Sequence, residues 1–184
     1  MYHISIISSS VRTGRKSHNV VLYLQKYLTD NKLATVEILD LATFDFPIFD
    51  ERLSKQSNPS TQLLSFQKSI VASDGVLIVA PEYNGSIPAS LKNVIDVLYD
   101  EWHRKPIAFS TVSSGDFAGL QALTHLQFIF WKVRAWTFTG NFPVAKVQEK
   151  FNDMGMSTNR IETDERAKKF LAEFFQCIDA SLKQ

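Results

Sequence analysis

The stretch "GVLIVAPEYNGSIPASLKNVID", residues 75–96, decides how the chain is read. It opens on a short apolar run with no polar face, which suits a central strand of a parallel sheet covered by helices on both sides. It closes on a helical period in which Leu91, Val94, Ile95 and Leu98 fall at i, i+3, i+4 and i+7 behind Pro88, a proline at a place the first turn tolerates. Between strand and helix stand Pro, Glu, Tyr, Asn, Gly and Ser, more chemistry than turning a chain requires. Pro81 stiffens the exit from the strand, and Gly85 opens backbone conformations that other residues resist.

Working outward, residues 2–7 and 107–112 are apolar runs of the same kind, residues 34–39 alternate weakly as an outer strand should, and residues 135–139 read as a fifth. Helical periods lie between them: Val20, Leu24, Tyr27 and Leu28 after Ser17, then Leu63, Phe66, Ile70 and Val71 before the "SDG" turn. Residues 164–182 form a last amphipathic helix, and residues 54–61 and 151–163 read as surface loops. Strands alternating with helices give an α/β sheet with right-handed crossovers. The expectation is one domain over residues 1–184, a flavodoxin-like, doubly wound, five-stranded parallel sheet with helices on both faces.

Composition removes several function classes. Lys and Arg number 20 against 19 acids, so there is no basic field for nucleic acid. No apolar run approaches the roughly 20 residues that span a membrane, and "MYHISIISSS" reads as a strand rather than a leader. A single cysteine, Cys177, fits a reducing, cytoplasmic setting. His3, His18, His103 and His125 are scattered without ligand spacing, so no metal site is expected.

In a doubly wound sheet, ligands bind beyond the carboxyl ends of the strands, and three loops there carry polar chemistry. The first, "SSSVRTGRKS" (residues 8–17), sets hydroxyls, arginines and a lysine before a helix N-terminus, where free N–H groups and the dipole favour an anion such as phosphate. It is neither a Walker motif nor a dinucleotide fingerprint, since Gly14 is its only glycine; a capped helix behind a solvated basic loop is the plain alternative. The second is the opening loop, whose Tyr83, Asn84 and Ser86 suit a flat heteroaromatic ligand or, alternatively, local packing of a surface tyrosine. The third, "SSGDFAG" (residues 113–119), permits close backbone approach or simply a turn.

Taken together, these loops resemble the NADPH-dependent FMN reductase family, a branch of the flavodoxin-like flavoproteins. The likeness rests on Ser10-x-Arg12 followed by Ser17, and above all on Pro81-Glu82-Tyr83-Asn84-Gly85-Ser86-Ile87-Pro88 running into Leu91-Lys92-Asn93 and Asp96. The "EW-x-x-KP" segment (residues 101–106) and the Ser113–Gly115 turn add to it, while Ser9, Asp116 and Ala118 depart from the family's more glycine-rich pattern. The resemblance implies one FMN across the three loops. Arg12 would pair with its phosphate, with Ser10 and Ser17 as hydroxyl donors. Pro81, Glu82, Tyr83, Asn84, Gly85 and Ser86 would flank the isoalloxazine ring, and Ser113, Ser114, Gly115 and Asp116 would close the other edge.

The implied activity is an NAD(P)H-dependent reductase, using NADPH or NADH and passing hydride to a small acceptor: a quinone, an azo compound, a metal ion or free flavin. No catalytic acid–base pair is required, because the hydride chemistry belongs to the flavin. A flavodoxin-type electron carrier and a non-redox binding module on the same fold are the alternatives; the near-zero net charge disfavours the first. "LQFIFWKVRAW" (residues 126–136) carries more aromatic surface than one buried face needs; Phe128, Phe130 and Trp131 filling a thick core is the plain alternative, and the resemblance reads the stretch as a homodimer interface.

Overall fold

The computed structural model describes residues 1–183. Five strands, β1 (Tyr2–Ser8), β2 (Ala34–Asp40), β3 (Gly75–Pro81), β4 (Pro106–Val112) and β5 (Trp136–Asn141), form one parallel sheet in the order β2-β1-β3-β4-β5. The helices are α1 (Ser17–Asp30), α2 (Thr61–Ala72), α3 (Ala89–Val97), α4 (Leu120–Lys132), a single turn α5 (Val147–Lys150) and α6 (Arg160–Leu182). The chain is therefore α/β and doubly wound with the flavodoxin strand order, which reverses between β1 and β3 and opens a crevice at their carboxyl ends.

The strand quoted first shows why the sheet sits in the middle. Every residue of β3 from Gly75 to Ala80 is buried. Val76, Ile78 and Ala80 join a core with Phe66, Ile70, Leu91, Val94, Leu126 and Phe130, whereas Leu77 and Val79 join Val20, Leu24, Phe170 and Phe174 on the other side. Helices α2, α3 and α4 thus cover one face, and α1 and α6 the other. The period expected before "SDG" buries Leu63, Phe66 and Ile70 but leaves Val71 exposed.

Some boundaries differ from the sequence reading. The fifth strand runs to Asn141 because the β4–β5 register shifts between Ile107 and Phe109, which lets Phe109 pair with Asn141. The last helix begins at Arg160, inside the stretch read as loop, because Asn159 caps it: its side chain accepts from the Glu162 N–H and donates to the Glu162 carboxylate at 2.8 Å. The remainder of that stretch docks on α1. Phe151 packs against Tyr23 with ring centroids 5.3 Å apart, and Gly155, at φ +72°, lies so close that a Cβ there would stand 2.7 Å from the Tyr23 amide nitrogen. Residues 53–55 form a 3-10 turn that buries Leu53. The aromatic stretch 126–136 closes α4 and enters β5, with Arg134 at φ 59° making the turn between them.

The "EW-x-x-KP" segment is part of the scaffold. Trp102 is fully buried, donates Nε1–H to the Ile95 carbonyl at 3.2 Å and meets Phe130 edge-on at 5.5 Å. Glu101 accepts from Gln67 Nε2 (2.6 Å) and the Tyr99 N–H (3.1 Å). Lys105 donates Nζ to the carbonyls of Val71 (3.2 Å) and Ser73 (2.6 Å), satisfying acceptors at the end of α2, and burial pulls its pKa down. These side chains lock α2, α3 and α4 together before β4 begins.

Candidate active site

The loop after β3 closes on itself. Tyr83 and Ser86 exchange both backbone hydrogen bonds, at 2.9 and 3.0 Å, around Asn84 (φ 50°) and Gly85 (φ 75°). Two left-handed residues in a two-residue loop are what Asn-Gly accommodates best. The Glu82 N–H donates to the Val112 carbonyl at 3.0 Å, extending the β3–β4 ladder by one bond. The side chains of this loop are tied to α4: Glu82 accepts from the Gln121 N–H at 3.0 Å in the first turn of that helix, and Ser86 Oγ lies 2.8 Å from His125 Nδ1. A carboxylate at a helix N-terminus satisfies a donor and complements the dipole. Glu82 therefore serves α4, as a turn-capping acid would.

The loop after β1 has a buried base and an exposed tip. Ser8, Ser9 and Ser10 are buried, and Ser9 Oγ donates to the Val79 carbonyl at 2.8 Å. Ser10 Oγ is hydrogen-bonded to Tyr83 Oη, joining the first two loops. Arg12 is exposed, its guanidinium 5.6 Å from the Tyr83 ring centroid, and it makes no ion pair among the described residues. Arg15 is committed elsewhere: it grips both carboxylate oxygens of Asp40, at 2.6 and 2.5 Å, and also donates to the Ser10 carbonyl. Helix α1 starts behind Lys16 with no side-chain cap, and buried Ser17 is its first residue. Uncapped N–H groups at a helix start are an anion's natural partners. His18 Nδ1 lies 3.0 Å from Ser8 Oγ; burial pushes the imidazole pKa down, although the Asp40 carboxylate pulls the other way.

The loop after β4 is held by the segment leading into α5. The Ser113 N–H donates to the Val144 carbonyl (2.9 Å), its hydroxyl to the Gly115 carbonyl (2.8 Å), and Gln148 Nε2 donates to the Ser114 carbonyl (3.1 Å). Asp116 forms an exposed pair with Lys146 at 2.7 Å.

The three loops meet in an open cleft of about 170 Å³. Arg12, Ser17, Pro81, Glu82, Tyr83, Ser113 and Ser114 line it, with residues 14–16, Val112, Val147 and Gln148. Of the other expected residues, Ser10 sits behind Tyr83, Asn84 and Gly85 form the hairpin tip, Ser86 turns to His125, and Gly115 and Asp116 lie outside the lining. Sequence reasoning missed Asp40, Gln121, His125 and Gln148 because each lies far along the chain from the group it holds. The cleft thus brings together a guanidinium, an uncapped helix start and, 5.6 Å from that guanidinium, the Tyr83 ring, with the tight Asn84–Gly85 turn directly after this tyrosine in the chain. That donor set matches a phosphate joined to a flat heteroaromatic group. Among the described residues, no cluster of three or more His, Cys, Asp or Glu could hold a metal.

A family model described as NADPH-dependent FMN reductase matches residues 2–149. The chain is 31% identical over 135 residues to an NAD(P)H-dependent FMN reductase of a Nectria species, covering 69% of this chain and 66% of that protein. It is 32% identical over 138 residues to an NAD(P)H-dependent FMN reductase of Saccharomyces cerevisiae, covering 67% and 71%, and 34% identical over 127 residues to a quinone reductase of Pseudomonas putida, covering 66% of each. The matched region thus spans about two thirds of these relatives' lengths. Among solved structures, a flavoenzyme NAD(P)H:(acceptor) oxidoreductase from Paracoccus denitrificans superposes with a TM-score of 0.80 at 24% identity, covering 98% of this chain and 99% of that one, a likeness of fold.

Proposed function

The chain belongs to the NADPH-dependent FMN reductase family, and on that premise we propose that it binds one FMN in the three-loop cleft and carries reducing equivalents from NADPH or NADH to a small acceptor. Quinones, azo compounds, metal ions and free flavin are the acceptor classes. The carrying observation is that Arg12, which makes no ion pair among the described residues, and the uncapped start of α1 face the same cleft as Pro81 and Tyr83, at the crevice where the strand order reverses.

In this reading Arg12, the Ser17 hydroxyl and the first N–H groups of α1 hold the phosphate, while Ser10 acts from behind by fixing Tyr83. Pro81, Tyr83, Asn84 and Gly85 form the wall for the ring, with Glu82 and Ser86 anchoring that wall to α4. Ser113 and Ser114 close the opposite edge, and Gly115 and Asp116 shape the turn behind them. The bound flavin would supply the hydride chemistry, so the protein's task is to bind, orient and limit access. FMN is expected rather than FAD because one phosphate-type loop is present. Cofactor released by heat should run as FMN on chromatography; FAD, or no flavin after reconstitution, contradicts the assignment. A cytoplasmic setting belongs to the same reading, supported by the lone Cys177 and by the absence, among the described residues, of a helix able to cross a membrane.

The acting unit in this proposal is a homodimer joined through α4. Phe130 points into the core, but Phe128 and Trp131 are 63% and 66% exposed, their rings 5.8 Å apart. Phe128 also lines a wide, largely apolar groove between α3 and α4 that reaches Ser86 and His125 beside the hairpin. Aromatic surplus of this kind, rimmed by polar groups, is typical of association surfaces. Trp131→Glu is expected to halve the mass seen by light scattering while leaving the chain folded. A wild-type monomer at micromolar concentration would exclude the dimer.

A further inference from the structure

We infer that Asp40, at the carboxyl end of β2, is a positioning residue for the flavin phosphate: it holds Arg15 on the Ser10 carbonyl and so leaves Arg12 as the guanidinium that meets the ligand. The inference rests on the proposed reading of the cleft as an FMN site.

Two arginines flank this loop, and they are placed differently. The Arg15 and Asp40 side chains are only 17% and 15% exposed, and they meet through both nitrogens and both oxygens. A forked, partly buried pair is far more definite in geometry than the exposed pairs elsewhere on the surface. Because the guanidinium is a rigid planar fork, seating it on Asp40 also fixes the direction of its third bond, from Nη1 to the Ser10 carbonyl at 2.5 Å. A trans peptide points its N–H opposite its C=O, so holding the Ser10 carbonyl sets the direction of the Val11 N–H as well. The Ser10 hydroxyl meanwhile binds Tyr83 Oη and accepts from the Arg12 N–H at 3.4 Å. A continuous chain therefore runs from β2 through Arg15 and Ser10 to both the Arg12 backbone and the hairpin tyrosine. Asp40 is otherwise faced by His18, whose Nδ1 is 3.9 Å away, and by the Ala42 N–H at 3.1 Å. A carboxylate this near an anion site is tolerable because Arg15 neutralises it.

The test is titration of apoprotein with FMN and with riboflavin, followed by flavin fluorescence, in Asp40→Asn, Arg15→Gln and the double variant. Asp40→Asn retains an acceptor for the Ala42 N–H and removes the charge that seats the fork. Each single variant should lose about tenfold in FMN affinity, the worth of roughly one charge-assisted bond, and less than about twofold for riboflavin. The double variant should be no worse than either single one, since the two residues act as one unit. Equal losses for both flavins would reduce the pair to a fold element. An unchanged or tighter FMN affinity in Asp40→Asn would mean that Arg15, once released, is itself a phosphate ligand. Either result overturns the inference. Should Asp40→Asn fail to fold by circular dichroism, Arg15→Lys keeps the charge, loses the fork and should show the same FMN-selective loss. Wild-type protein that binds neither flavin sinks the cleft reading itself. Loss of FMN affinity in Arg12→Ala but not in Asp40→Asn sinks only the role given to Asp40.

Discussion

Replacing Arg12 with alanine is expected to weaken FMN binding by about tenfold to a hundredfold while riboflavin binding hardly changes. A guanidinium on a phosphate makes charge-assisted hydrogen bonds of about 1.5–3 kcal/mol, and each 1.4 kcal/mol is roughly a factor of ten. Arg12 is exposed, carries no ion pair among the described residues and lines the cleft, so its removal leaves no buried partner unsatisfied. The variant should melt within a degree or two of wild type. If FMN and riboflavin lose affinity equally, Arg12 acts through its stacking over Tyr83 and the phosphate sits elsewhere.

Trp102→Ala carries the largest expected loss of stability, about 3–5 kcal/mol for deleting a buried indole. The side chain is fully buried against Phe130, and the Ile95 carbonyl loses its Nε1–H donor. In a chain of this size such a loss should lower the melting temperature by roughly 6–20 °C. FMN affinity of the folded fraction should stay within about twofold of wild type at a permissive temperature. A variant that melts like wild type but no longer binds flavin would move this tryptophan from the scaffold into the site.

Much of the architecture was legible because the central strands are short runs, apolar on both faces, which suit a sheet covered on both sides. Residues 75–80 have no exposed position, and the structure gives them none. Boundaries were harder where local chemistry and tertiary pairing disagree. Gly140 and Asn141 are poor strand formers, yet the shifted register carries β5 through them. Arg160 and Ile161 present no apolar period, since Ile161 is 82% exposed; the start of α6 was legible only in Asn159 and Glu162 three residues on.

The candidate site was legible as three loops but not as a network. Asn-Gly announces a tight turn, and the structure has one. That Ser10 binds Tyr83, that Glu82 serves the first turn of α4 and that Ser86 meets His125 are pairings across 73, 39 and 39 residues. No spacing rule reaches that far. The same distance hid what Arg15 does: it stands three residues after Arg12 in "VRTGRKS", and only the fold brings Asp40 beneath it.

The most direct measurement is anaerobic stopped-flow mixing of the FMN-loaded protein with NADPH alone, watched at the flavin's visible maximum. In the proposed reading, loops at the carboxyl ends of the strands would leave the bound ring a single open face, so nicotinamide and acceptor should take turns there. The expected result is bleaching before any acceptor is present, recovery of the absorbance when a quinone is added, and parallel double-reciprocal plots in the steady state, the signature of alternating occupancy. Absorbance that is unmoved by either NADPH or NADH, in protein shown to hold FMN, would contradict the reductase assignment.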